Sequence, residues 1–186
     1  LRSVSSMIRA VLFDLDDTLM DHTAAMHAAV EDWLPGGHQE RFAEIERKWF
    51  AAYERGEVTH QGQRVERCRE FLGRPEMSEQ EALAEYSTYL AAYEKHWCAV
   101  DGARDALEYV MNLDLKVGIL TNGARDMQEG KLRAGGLDLP GIELFPTVEM
   151  GHPKPHPEAY LEACRRMSVE PRSTLMVGDS VANDVE

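Results

Sequence analysis

Three short stretches of the chain are almost continuously apolar, and each stops at a polar cluster. Residues 8–15 (IRAVLFDL) run into Asp16 and Asp17, residues 115–120 (LKVGIL) into Thr121-Asn122-Gly123, and residues 174–177 (TLMV) into Gly178-Asp179. Runs of this length without alternation mark strands covered on both faces. Residues 102–111, 124–134 and 156–167 carry helical spacing. Strands alternating with helices predict an α/β fold, a doubly wound parallel sheet with right-handed crossovers, in which ligands bind at the C-terminal ends of the strands. All three polar clusters fall at that end.

Residues 21–96 lack such runs. Phe42, Ile45, Trp49 and Tyr53 step by threes and fours, as do Leu83, Tyr86, Leu90, Tyr93 and Trp97. These stripes read as the buried faces of amphipathic helices rather than as cofactor-stacking surfaces. Pro35-Gly36-Gly37 and Gly73-Arg74-Pro75 break the segment into about four helices. The organisation expected is an α/β core over residues 7–20 and 98–186, with a helical insertion over 21–97 after the first strand.

Composition then narrows the function. Lys and Arg number 20 against 33 Asp and Glu, a net charge of −13. Nucleic-acid affinity comes mainly from neutralising phosphates with Lys and Arg, so this excess argues against a nucleic-acid partner and against an anionic membrane surface. No segment approaches the roughly 20 apolar residues of a membrane span, and residues 1–10 hold no run of signal-peptide length. Cys68, Cys98 and Cys164 are odd in number and far apart, which fits small buried hydrophobes in a reducing compartment better than disulfides. A cytoplasmic protein, monomer or homodimer, is expected. Residues 1–6, ahead of Met7, read as a start-site variation or a remnant.

The sharpest chemical signal is the acidic cluster after the first strand. Asp14, Asp16 and Asp17 fall within four residues. Carboxylates this close repel one another and are costly to desolvate unless a cation or hydrogen bonds compensate. Asp17 and Thr18 can equally serve as loop caps. Asp179 and Asp184 follow the third strand; if that strand neighbours the first, they join Asp14 in an oxygen-rich site suited to a hard cation such as Mg2+. Asp179 after Gly178 can also cap a helix. Thr121-Asn122-Gly123 offers a hydroxyl, an amide and a permissive backbone ahead of a helix whose first amides favour anions. Lys154, in His152-Pro153-Lys154-Pro155-His156-Pro157, is a cation fixed by a Pro-stiffened loop. A hydroxyl and an ammonium beside carboxylates and a metal are what a phosphoryl group needs for positioning and charge neutralisation.

The order Asp-x-Asp-x-Thr, Thr-Asn-Gly, Lys-Pro-x-Pro, Gly-Asp-x-x-x-x-Asp, spread from Met7 to the end of the chain, resembles the haloacid dehalogenase-like hydrolase superfamily, in the branch with a helical cap after the first strand. The resemblance implies Asp14 as nucleophile and Asp16 as general acid and base. It implies Thr121, Asn122 and Lys154 as phosphate-binding groups, and Mg2+ held by Asp14, the Asp16 backbone carbonyl and Asp179. Asp184 would reach the metal indirectly, through a water or another ligand. Asp16 favours a phosphatase over a dehalogenase, because a halide leaving group needs no acid and family dehalogenases resemble Asp-x-Tyr-Gly where this chain has Asp-Leu-Asp-Asp. The implied partner is a small phosphorylated molecule, a nucleoside 5′-monophosphate or sugar phosphate, with His22, Trp33, Arg64 and Arg67 as candidate cap contacts. A phosphomutase of the same family, or a metal-binding interaction module without turnover, are the alternatives. Members with such a cap generally continue some tens of residues past the last motif, so a truncated, uncovered sheet edge is expected beside the third strand.

Overall fold

The computed structural model describes residues 7–185; the leading residues 1–6 and Glu186 lie outside the described residues. The chain separates into two compact units, His22–Trp97 and the remainder on either side of it.

The discontinuous unit is a parallel sheet of four strands, β1 (Ala10–Phe13), β2 (Lys116–Thr121), β3 (Ile142–Pro146) and β4 (Thr174–Val177), in the order β3-β2-β1-β4. The α/β parallel architecture read from the sequence is present. Helix α5 (Ala103–Met111) precedes β2, α6 (Arg125–Ala134) leads on to β3, and the short α7 (Thr147–Met150) and α8 (Pro157–Arg166) lie between β3 and β4. β1 pairs with β2 through Ala10↔Lys116 to Phe13↔Ile119 and with β4 through Ala10↔Thr174 to Phe13↔Val177. This common register brings the C-terminal ends of β1, β2 and β4 level. Pairing covers less of the first apolar run than its pattern implied: Met7 and Ile8 are exposed, and the strand starts at Ala10.

β3 is an addition to the three strands expected. Its sequence, IELFP, alternates half-buried Ile142 and Leu144 with exposed Glu143 and ends in Pro146. That is the pattern of an edge strand, and among the described residues β3 pairs only with β2. At the opposite edge, among the described residues, β4 pairs only with β1 and leaves Leu175 exposed.

One side of the sheet packs closely on α8. Leu12, Leu120, Phe145, Ala159, Ala163 and Met167 form a single buried cluster. Gly118 lies opposite Leu12 in the sheet, and a Cβ there would meet Phe145 at 2.7 Å, Leu12 at 2.8 Å and Met167 at 2.9 Å. The glycine lets those three side chains meet over β2.

The helical unit holds α1 (His22–Trp33), α2 (Gln39–Glu54), α3 (His60–Leu72) and α4 (Glu79–Lys95). Thr59 caps α3, Gly73 ends it in the left-handed conformation, and Ser78 and Glu81 form a reciprocal capping box on α4. Its interior is aromatic: Phe42 lies 5.0 Å from Phe71 and 4.8 Å from Tyr89, centroid to centroid, with Trp33 against all three. Two candidate contact residues are engaged by partners within this unit. The Trp33 indole donates to Glu85 at 2.9 Å, and buried Arg67 pairs with Glu46 at 2.6 Å and donates to Tyr86 at 3.1 Å. His22 lies between Tyr93 (2.6 Å) and Glu46 (3.0 Å). Arg64 differs: it is half-buried, burial pulls its guanidinium below the usual range, and no carboxylate pairs with it among the described residues.

Cys68 and Cys164 are buried, as expected, but Cys98 is exposed, because it follows the end of α4 where the backbone returns to pair with Asp21. Among the described residues no helix is long and apolar enough to cross a membrane.

Replacing Gly118 with Ala forces a methyl group into the cluster above β2. The Gly118→Ala protein is expected to lose about 1–3 kcal/mol of stability, read as a lower urea midpoint with an unchanged m-value.

Candidate active site

The site begins where β1 stops. The Asp14 amide still donates to the Val177 carbonyl of β4 at 2.8 Å, and the chain then folds back: the Leu19 and Met20 amides both donate to the Leu15 carbonyl at 2.9 Å. Asp17 takes a left-handed φ of 59°, a conformation Asp adopts more readily than most side chains. This turn holds Asp14 and Asp16 on a short, hydrogen-bonded loop.

Lys154 meets two carboxylates. Its Nζ lies 2.7 Å from Asp14 Oδ1 and 2.6 Å from Asp184 Oδ1, and all three residues are buried. Asn122 sets the lysine there. Its side-chain amide donates to the Lys154 carbonyl at 2.9 Å, while its Oδ1 accepts from the Lys154 amide at 2.7 Å and from the Thr147 hydroxyl at 2.9 Å. Asp184 sits in the π-helical turn Val181–Val185, with its Oδ2 accepting from the Ser180 amide at 3.1 Å. Tyr160 of α8 donates to the Asn183 carbonyl and ties this turn to the unit's interior.

Asp14, Asp179 and Asp184 each offer one carboxylate oxygen, all within 4.8 Å of one another. With all three carboxylates ionised, the cluster and Lys154 together carry a charge of about −2, which a divalent cation would neutralise. The donors are hard oxygens, the set that Mg2+, Mn2+ or Ca2+ prefers. Gly178 keeps the space open: a Cβ at that position would overlap the Asp184 carboxylate. The residues present therefore fit a divalent cation. Burial is the largest influence on Asp14 and pushes its carboxyl up to about 7, against the pull of Lys154. Burial opposes the Lys154 charge as well, but Asp14 and Asp184 together outweigh it and hold the ammonium above its ordinary range. Asp179, more exposed, is raised by partial burial. The Thr18 hydroxyl reaches it only at 3.5 Å.

Asp16 is placed apart from this cluster. Its Oδ1 lies 2.6 Å from Lys131 Nζ and its Oδ2 accepts from Gln128 Nε2 at 3.2 Å. Gln128 also donates to the hydroxyl of buried Thr121 at 2.6 Å. The sequence reading missed Gln128 and Lys131, which look there like ordinary surface residues of a polar helix. Gly123 was the available signal: a Cβ there would come within 2.5 Å of Gln128 Nε2, so the glycine makes room for that side chain to turn inward.

A model of haloacid dehalogenase-like hydrolases matches residues 8–186. The chain belongs to that family. It is 28% identical to validoxylamine A 7′-phosphate phosphatase of Streptomyces hygroscopicus subsp. limoneus, over 95% of this chain and 79% of the relative. It is equally 28% identical to glyceraldehyde 3-phosphate phosphatase of Methanopyrus kandleri, over 96% of this chain and 78% of the relative. Among solved structures, the HAD-hydrolase YfnB of Bacillus subtilis, solved bound to magnesium, superposes with a TM-score of 0.85 at 25% identity, over 96% of this chain and 83% of YfnB.

Membership of this hydrolase family gives the carboxylate cluster a chemical context, and its electrostatics give a pH test. A carboxyl whose folded pKa, about 7, lies above its unfolded value of 3.8 favours the folded state at low pH, and that contribution is lost as the pH rises through 7. In chelator, the melting midpoint of Asp14→Asn relative to the parent is therefore expected to shift in the variant's favour between pH 4 and pH 8, because only the parent loses stability as Asp14 ionises. An equal offset at both pH values in differential scanning calorimetry would contradict the burial-raised carboxyl.

Proposed function

We propose that the protein is a Mg2+-dependent phosphatase acting on a small phosphomonoester through an aspartyl phosphate at Asp14. The observation that carries this reading is the pairing of two differently placed carboxylates two residues apart. Asp14 is buried against Lys154 within the three-carboxylate cluster, and Asp16 is held separately by Lys131 and Gln128. These surroundings support a nucleophile at Asp14 and a proton-transfer group at Asp16.

Asp14, the Asp16 backbone carbonyl, Asp179 and Asp184 are the proposed holders of the metal. Bound there, Mg2+ would offset charge on the phosphoryl oxygens. Lys154 and the Thr121 hydroxyl bind those oxygens in the ground state and the transition state. Asn122 contributes by fixing Lys154, because its amide is engaged on that residue's backbone. An Asp14 oxygen forms a bond to phosphorus as the ester P–O bond breaks, and Asp16 delivers a proton to the departing alkoxide. Asp16 then takes a proton from water as that water's oxygen bonds to phosphorus and the Asp14–phosphorus bond breaks. Ester and water become alcohol and inorganic phosphate.

The named relatives are phosphatases of validoxylamine A 7′-phosphate and of glyceraldehyde 3-phosphate, which supports a sugar or polyol phosphate ahead of a nucleoside 5′-monophosphate. The helical insertion over residues 21–97 is proposed to select the alcohol portion. Arg64, a half-buried guanidinium without a carboxylate partner among the described residues, is its first candidate contact.

With Mg2+, phosphate release is expected from a panel of sugar phosphates and, more weakly, nucleoside 5′-monophosphates, assayed as molybdate-reactive phosphate. Asp14→Asn should abolish it. Release unchanged in that variant would remove the nucleophile assignment. On the best ester of the panel, Arg64→Met should raise KM about tenfold with kcat little altered, the signature of a lost charge-assisted contact to bound substrate. An unchanged KM would take Arg64 out of substrate binding.

A further inference from the structure

Helix α6 presents Gln128 and Lys131 one turn apart on the same face, and both point inward, 1% and 3% exposed. Polar side chains that large are seldom buried without a specific partner, because desolvating an ammonium is costly. Here each has a partner in the loop after β1, more than a hundred residues earlier in the sequence. Lys131 Nζ lies 2.6 Å from Asp16 Oδ1. Gln128 Nε2 is shared between Asp16 Oδ2 at 3.2 Å and the Thr121 hydroxyl oxygen at 2.6 Å. The Gln128 Oε1 is buried with no hydrogen-bond partner among the described residues. Reversing the amide would aim that oxygen at the Asp16 carboxylate, so the orphaned acceptor is the consequence of committing the NH2 group to Asp16 and Thr121.

We propose that Lys131 and Gln128 are positioning residues that fix the direction of the Asp16 carboxylate, with Gln128 linking it to the phosphate-binding hydroxyl of Thr121. The inference rests on the reading of Asp16 as the proton-transfer group of a phosphatase. A carboxylate on a loop rotates about two side-chain bonds. This one has a separate donor on each oxygen, both donors come from one helix, and a helix is a stiffer support than a loop. Proton transfer is efficient only when donor and acceptor are already in hydrogen-bond reach and aligned. Lys131 can only donate, so Oδ1 is closed to a proton and Oδ2, with the longer and weaker contact, is the oxygen that carries it. Lys131 also cancels the Asp16 charge, so a fourth carboxylate is accommodated near the cluster without adding to its net negative charge.

Proton delivery matters most when the leaving alcohol is a poor leaving group, and that separates positioning from simple structural support. The value of kcat/KM covers the steps up to departure of the alcohol. It can be measured with Mg2+ for p-nitrophenyl phosphate, whose leaving group needs little help, and for glucose 6-phosphate, whose alkoxide needs a proton. Lys131→Met is expected to lose on the order of a hundredfold on glucose 6-phosphate and roughly tenfold or less on p-nitrophenyl phosphate. Lys131→Arg should recover most of the difference, and Gln128→Leu should show the same bias to a smaller extent. The rise in melting midpoint on adding Mg2+ should survive in all three variants. Equal losses on the two esters, or a lost response to Mg2+, would overturn the proposal while leaving the phosphatase reading intact. A folded parent protein that releases phosphate from neither these esters nor the wider panel would overturn both. If Lys131→Met fails to fold, Lys131→Arg and Gln128→Leu carry the comparison.

Discussion

A buried ammonium held between two buried carboxylates is the contact on which the rest of the α/β unit depends. Lys154 and Asp14 are 140 residues apart in sequence, and Lys154 and Asp184 are 30 apart. None of the three can be withdrawn from water at tolerable cost unless the other two are in place, because removing one partner leaves an uncompensated buried charge. That requirement constrains the fold around it. β1 and β4 must pair in the register that leaves Asp14 beyond Phe13 and Asp184 beyond Val177, since a slip of one residue would turn Asp14 to the opposite face of the sheet. Asn122 must bond both the amide and the carbonyl of Lys154, which fixes the end of β2 against the loop before α8. Fold and site are stabilised by the same charges.

The arrangement also divides the carboxylates into two kinds. Asp14, Asp179 and Asp184 share one ammonium and keep an excess of negative charge in a confined space, which makes the cluster receptive to a cation. Asp16 has its own ammonium from a different helix and is electrically closed. Two residues in the same loop thus occupy opposite environments, the condition under which neighbouring acids take different roles. The chain's other acidic residues lie largely on its surface, some of them in exposed ion pairs such as Arg165 with Glu158 and Glu162, which contribute little to stability.

Much of this was legible in the sequence because buried parallel strands have a strong signature and because carboxylates at a strand end need a reason. Asp14, Asp179 and Asp184 come together as their positions after apolar runs suggested, and the proline-rich loop brings Lys154 to them. β3 was not legible: Ile142 and Leu144 alternate with charge and end at a proline, which reads as loop until β2 is known to need a neighbour. Gln128 and Lys131 were hidden for a different reason. Helix α6 is polar nearly all round, so no apolar stripe marks its inner face, and only the glycine at position 123 hints at a close approach. Asn122 was recognised as important, but its partner, the backbone of a residue 32 positions later, has no sequence signal. In the helical unit, Arg67 was a candidate contact as an arginine of the insertion; its partners Glu46 and Tyr86 lie on two other helices, and only the packed structure joins them.

The placement of the insertion has a consequence for how the molecule is made. β1 leaves the ribosome before its partners, which begin at Lys116 and Thr174, after the whole of His22–Trp97. The helical unit is built from neighbours in sequence and can form early, whereas the central strand of the sheet must wait for contacts that close very long loops. During that interval an apolar strand is available for pairing with other chains. Asp14, Asp16 and Asp17 stand directly beyond its end, and charges in that position are what keeps an unpaired hydrophobic strand from associating. The residues that make the site in the finished protein act as gatekeepers while it is still a nascent chain.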